Sequence, residues 1–317
     1  MSETYNYTEE EQGGLMACES SSWGGQWTEE KLEAFEKYVN AYLTIMNSFR
    51  DDNKWKLIYF DGFAGSGSRN EEKKETNSEL LQELFRDYCL NEAELETYKG
   101  AAERVLSISQ RGFDFYYFVD KDPESSAMLK LRLSKYEKTK RLEFRSSDAN
   151  LQIEMLAKAM HNDNGLAALV LLDPFGMQVD WKSIELLKGT RTDLWILIPT
   201  GVIVNRLLDR KCELTHAERL TSFFGKDEDF LKDYFYKKKT LNTLFGETEI
   251  IEKVKKPIER IAELYIKQLK TIFGYVTEKP LVLYNTRNTP IFHFACASNN
   301  QTAIKIASQI IKKKRGL

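Results

Sequence analysis

Four aspartates close or follow apolar runs in this chain, and three glycines crowd behind the first of them. Asp61 ends the run Leu57–Phe60 and leads into glycines at 62, 65 and 67. Asp120 ends Phe113–Val119, Asp148 follows the short run Arg141–Arg145, and Asp173 ends Leu166–Leu172 and opens the turn Asp173, Pro174, Phe175, Gly176. A carboxylate accepts both vicinal hydroxyls of a ribose, or the hydrogens of an exocyclic amine, through charge-assisted hydrogen bonds. Glycines in a turn admit positive φ and let a nucleoside come close to the backbone without a Cβ clash. One Asp after a strand is ordinarily a helix or turn cap. Four of them at four strand ends, with a glycine turn behind the first, describe a ligand site.

The elements that must carry these residues alternate. A helix from Thr28, read as its N-cap, to about Arg50 has an apolar face of Leu32, Phe35, Tyr38, Val39, Tyr42, Leu43 and Met46 and is a packing helix. Strands follow at Leu57–Phe60, Phe113–Val119, Arg141–Arg145, Leu166–Leu172 and Asp193–Ile198. Helices are expected at about 100–110, 123–133, 151–160 and 181–187. The uncharged run Leu166–Leu172 has the composition of a central strand covered on both faces. The chain closes with a helix at 258–273, a hairpin of 280–284 and 291–297, and a helix at 302–312. The pattern predicts an α/β fold: a Rossmann-like, doubly wound, mostly parallel sheet with an antiparallel C-terminal hairpin and helical insertions. In such a sheet all parallel strands present their carboxyl ends on one edge, so the four acids gather around one crevice.

Residues 1–26 are polar, acidic and Ser/Gly-rich and read as a mobile tail, with Trp23 and Trp27 able to dock it. Residues 27–201 and 257–317 read as the sheet domain. Residues 202–256, charged and aromatic, read as a helical insertion, and 68–99 as a second insertion directly after the glycine turn.

The 317 residues carry 46 Lys and Arg against 48 Asp and Glu, so no global field marks a nucleic-acid or membrane partner and any basic surface must be local. The cysteines at 18, 89, 212 and 296 are isolated, with no CxxC pair and no histidine at metal-ligand spacing, which argues against a zinc site or a disulfide framework. No apolar run is long enough for a membrane span, and the acidic start is unlike a signal peptide, so a cytoplasmic protein is expected.

With these residues in view, the sequence resembles the class I S-adenosylmethionine-dependent methyltransferases. Asp61 to Gly67 (DGFAGSG) is similar to their first motif in the DxFAGxG form, Phe118 to Pro123 (FVDKDP) to the second, and Ser147 to Asn150 (SDAN) to the third. Asp173 to Gly176 (DPFG) stands where the fourth is expected. The resemblance implies S-adenosylmethionine as cofactor, held by Asp61, Phe63, Gly65 and Gly67 at the turn, by Asp120 on the ribose hydroxyls and by Asp148 and Ala149 at the adenine. It also implies that Asp173, the Pro174 carbonyl and Phe175 receive a target amine, with the ring stacking on an extruded base of DNA or RNA. DPFG is similar to the turn of tRNA guanine-N2 dimethyltransferases. From Trp27 onward the helix sequence WTEEKLEAFEKYVNAYL, the DPFG turn and IPTGVIVNRL at 198–207 together resemble the three-Cys-motif partner family (TcmP). That resemblance implies a Cys-motif protein partner using S-adenosylmethionine and an iron–sulfur cluster. It leaves a second role open, that of a non-catalytic subunit with a methyltransferase-like fold.

Overall fold

The computed structural model describes residues 25–67, 100–174, 176–209, 212, 214, 216–243, 246–285 and 287–314. Five parallel strands carry the site: β1 (Lys56–Asp61), β2 (Phe115–Asp120), β3 (Leu142–Ser146), β4 (Leu166–Leu172) and β5 (Thr192–Ile198). They lie in the order β3-β2-β1-β4-β5. Beyond an inserted ribbon, β6 (Tyr236–Thr243) and β7 (Gly246–Lys253), come β8 (Tyr275–Val276), β9 (Leu281–Tyr284) and β10 (Pro290–Ser298). β10 runs antiparallel against β5 and pairs with both β8 and β9 at the sheet's end. This is the Rossmann-like, doubly wound, mostly parallel sheet, closed by the antiparallel hairpin, that the sequence predicts.

β1 has β2 on one side and β4 on the other, so the crossovers diverge between β1 and β4 and leave a crevice at their carboxyl ends. The pairing register also fixes the parity of the acids. Asp61 lies opposite Phe118 and Leu171, so Asp120 and Asp173, each two residues further along, continue on the same face as Asp61. The face is covered by α1 (Gly25–Phe49), which is already helical at Gly25, upstream of the cap predicted at Thr28. Its stripe of Leu32, Ala34, Phe35, Tyr38, Val39, Tyr42 and Leu43 is buried. Phe35 packs on Tyr59, Trp195 and Phe294, and Tyr38 meets Trp195 edge-on. Burying side chains of this size stabilises by about 1.5–3 kcal/mol each. Arg104 in α2 (Ala101–Leu106) binds Glu29 and Glu36, and Lys314 at the end of α9 (Gln301–Lys314) binds Glu33, so both flanking helices grip α1.

α2 begins where the glycine turn stops. A Cβ built on Gly100 would stand 3.5 Å from the Gly67 carbonyl oxygen and 3.6 Å from its Cα, so residues 68–99 leave and rejoin the domain at one point. The remaining crossovers are α3 (Pro123–Leu133), α4 (Ala149–Asn162) and α5 (Trp181–Glu185), each close to its predicted span.

The segment 202–256 departs from the helical reading. Only α6 (Ala217–Phe224) and α7 (Glu228–Phe235) are helices of eight residues, and the ribbon β6–β7 replaces the helix expected beyond Phe235. Lys237 faces Glu252 across it, Lys239 reaches the same carboxylate at 3.8 Å, and β-branched Ile250 and Ile251 favour the extended chain. α8 (Pro257–Ile272) then returns to the sheet edge. The tail's Trp23 and residues 68–99 lie outside the described residues. Among the described helices none is long and apolar enough to cross a membrane.

Candidate functional site

The glycine turn is strung between β1, β2 and β4 by its own backbone. Gly62 N–H donates to the Leu171 carbonyl at 2.9 Å, Ala64 N–H to the Val119 carbonyl at 2.9 Å, and Gly65 N–H to Asp120 Oδ2 at 2.9 Å. Gly65 and Gly67 sit at φ 59° and 73°, the left-handed region, and a Cβ on Gly67 would stand 2.7 Å from Leu129 Cδ1. Asp120 also accepts from Asp122 N–H through Oδ1 at 2.8 Å. It therefore braces both the glycine turn and the start of α3, whose N-cap is Asp122.

At the mouth between β1 and β4 stand two carboxylates and one cation. Asp61 is 2% exposed and accepts from Tyr59 Oη at 3.2 Å and from Phe63 N–H at 3.2 Å. Burial, then the neighbouring Asp173 charge, pushes its carboxyl up to about 7, with Phe63 N–H, Tyr59 and Lys31 pulling the other way. Asp173 forms an ion pair through Oδ2 with Lys31 of α1. The two sides of that pair differ: the Lys31 side chain is 6% exposed and that of Asp173 23%, so the lysine stands behind and the carboxylate in front. Oδ1 of Asp173 has no partner among the described residues. The Lys31 ammonium lies 5.4 Å from the Trp27 ring centroid, and Trp27 packs on Phe292 of β10 at 5.2 Å.

The other two loops lean on these. Asp148 is exposed and caps α4, accepting Asn150 N–H at 2.8 Å, with Ala149 buried beneath it. Ser147 N–H donates to the Asp120 carbonyl at 3.0 Å, which ties the end of β3 to that of β2. Asn150 Nδ2 donates to the Gln178 carbonyl at 2.8 Å, and its Oδ1 accepts Asp180 N–H at 2.9 Å. Hydrogen bonds thereby run from the loop at 61–67 to that at 120–122, on to 147–150 and from there to Gln178 and Asp180, along the edge of the crevice. Pro174 is buried. Phe175 lies outside the described residues.

Asp61, Phe63, Gly65, Gly67, Asp120, Asp148, Ala149, Asp173 and Pro174 thus all fall on one edge of the sheet. Asp61 and Asp173 interact directly, Asp120 joins through Gly65, and Asp148 joins through Asn150 and Ser147. The sequence reading missed Lys31 and Asn150. Lys31 carried a signal: with Trp27, Phe35 and Tyr38 it lies on the apolar stripe of α1, where a lysine is out of place unless it has a buried partner. His293 Nδ1 lies 2.7 Å from Thr200 Oγ1 just past β5, both residues buried.

No protein-family model matches the chain, and no curated protein matches it. Among solved structures, a Legionella pneumophila str. Philadelphia 1 protein of family DUF519 aligns at 14% identity over 88% of this chain and 99% of its own, with a TM-score of 0.39. An S-adenosylmethionine-dependent methyltransferase from Clostridium acetobutylicum ATCC 824 aligns at 12% identity over 85% of this chain and 92% of its own, with a TM-score of 0.33. Likenesses this loose leave the chemistry to be argued from the chain's own residues.

Proposed function

We propose that the chain is an S-adenosylmethionine-dependent methyltransferase whose acceptor is an amine, the exocyclic amine of a nucleic-acid base. The observation that carries this reading is the convergence of four acid-bearing loops on the β1/β4 crevice, with a glycine turn at positive φ on one side and the half-open Asp173 on the other. The donor set fits the cofactor. Asp120, at the end of β2, stands where a carboxylate takes the ribose hydroxyls, exposed Asp148 can take the adenine amine, the backbone at Gly65 and Gly67 admits the nucleoside, and Asp61 suits the cationic amino-acid end. When bound, the cofactor supplies a methyl group made electrophilic by a sulfonium. The chain's own part is to present the amine: Asp173 Oδ1 and the Pro174 carbonyl accept its hydrogens and aim the nitrogen lone pair, and Phe175 stacks on the base.

Calorimetric titration with S-adenosylmethionine tests the first half. Wild type binds, and Asp120→Ala weakens binding at least tenfold; no heat from wild type, or an unchanged variant, ends the reading. Transfer of labelled methyl to DNA, tRNA and protein pools tests the second, and label found only on protein removes the base assignment.

A second reading makes the chain a non-catalytic partner of a Cys-motif protein, the role implied by its resemblance to the three-Cys-motif partner family. Lys31 favours it to the extent that it already occupies one oxygen of Asp173. Asp173→Ala separates the two: an enzyme loses transfer while any complex survives, whereas a scaffold is indifferent.

A further inference from the structure

We propose that Lys31 is a positioning residue for the acceptor side of this crevice: its buried ammonium fixes the Asp173 carboxylate by Oδ2 and turns Oδ1, which has no partner among the described residues, toward the incoming amine. The inference rests on the methyl-transfer reading for the identity of the amine, and on the structure alone for the contact.

Three observations carry it. First, Lys31 is sequestered behind the carboxylate, 6% exposed against 23% for Asp173, and its ammonium sits by the Trp27 ring, itself packed on Phe292. A lysine so placed holds its partner from the rear. Second, Asp173 has a like-charged neighbour in Asp61 on the same face of the sheet, and without a cation the two carboxylates would turn apart or share a proton. A shared proton would put a donor where the amine needs an acceptor. Third, packing does not require the charge. α1 is secured by its aromatic stripe, by Arg104 on Glu29 and Glu36, by Lys314 on Glu33, and by the Tyr38–Asp193 hydrogen bond of 2.7 Å. Buried ion pairs are weak devices for stability, and an apolar residue of lysine's length would fill the same space.

The contact also explains why a helix that precedes β1 belongs to the site. Nothing from the strand ends could approach Asp173 from behind, because β1 and β4 are hydrogen-bonded neighbours there through Gly62 N–H and the Leu171 carbonyl. The cation has to come from the layer above the sheet. α1 supplies it one turn after Trp27.

The test uses the full chain as Lys31→Met, which keeps length and removes charge, and Lys31→Arg, which keeps charge. With methyl-labelled S-adenosylmethionine and whichever nucleic-acid pool accepts label, Lys31→Met should lower kcat about 100-fold, the cost of a misplaced reacting group, with cofactor Kd within about threefold of wild type. Lys31→Arg should recover most of the loss. A Lys31→Met enzyme with kcat within threefold of wild type overturns the proposal, and so does one that loses cofactor affinity in parallel with kcat. The contact is also read without turnover, from the side-chain carboxyl carbon resonance of Asp173 in aspartate-labelled protein, assigned with Asp173→Asn. That resonance should move in Lys31→Met and return in Lys31→Arg. No movement overturns the proposal even if the protein methylates; movement in a protein that binds no S-adenosylmethionine upholds the contact and retires the methyl-transfer reading instead.

Discussion

α1 meets a partly buried carboxylate at each edge of the sheet, and the two are treated differently. Near the amino end of β5, Asp193 accepts Tyr38 Oη at 2.7 Å and Ser298 Oγ, faces no cation among the described residues, and has its carboxyl pushed up by burial against the pull of those two hydroxyls. At the carboxyl edge, Asp173 is given a cation on one oxygen and no partner on the other among the described residues, beside an Asp61 whose carboxyl is pushed up to about 7 by burial and the Asp173 charge. The first arrangement satisfies its acid with neutral donors and closes it off. The second leaves an acid ion-paired from one side, crowded by a second carboxylate and half open. Where a fold tolerates like charges side by side at a topological switch point, the reason is sought in a ligand.

Substitutions at the two ends sharpen this contrast. The largest effect is expected from Asp173→Ala in a Lys31→Met background, which leaves no buried ammonium stranded and should lower methyl transfer by about 10²–10³-fold, as for loss of one preorganised polar contact, with the melting temperature nearly unchanged. Asp193→Ala should do the reverse. It strands the Tyr38 and Ser298 hydroxyls at about 1–3 kcal/mol each, visible as a lower denaturation midpoint with cofactor affinity intact. An Asp193 variant that loses binding without losing stability would break the comparison. Tyr38→Phe, removing one donor to Asp193, should cost about 1–3 kcal/mol by the same measurement. The smallest effect is expected at Asp61. Its carboxyl, raised to about 7 from 3.8, binds a proton more tightly folded than unfolded, so the folded state loses stability as pH rises from about 4 to about 7 and bears the full cost above that. Asp61→Asn, facing Tyr59, Asp173 and Lys31, should melt about 2 °C or more above wild type at pH 8, a gain that shrinks toward pH 5.

How much of this was legible in the sequence follows from how local each signal is. The strand ends were, because a continuous apolar run ending in an acid needs no partner to be recognised; Asp61, Asp120 and Asp173 all lie on the predicted edge. So was the break between the glycine turn and α2, since Gly67 and Gly100 flank a stretch too polar for the sheet. Lys31 was not, because its meaning depends on a partner 142 residues away. The ribbon at 236–253 was not either. The aromatic and charged run that forms α6 and α7 continues without a break into Tyr236 and its lysines, and cross-strand Lys–Glu pairing hides the period-two alternation that would have marked a strand. Asp148 shows both readings at once, since the residue expected at the adenine is also the N-cap of α4.

The near-contact of Gly67 with Gly100 has an engineering consequence. Because the chain exits and re-enters at one place, a bridge of a few Gly and Ser residues could join the two without changing strand register, crossover handedness or the sheet's connectivity, and loop closure over so short a gap adds little entropy cost. The sheet domain with its site could then be assayed with and without residues 68–99, on an unchanged sheet.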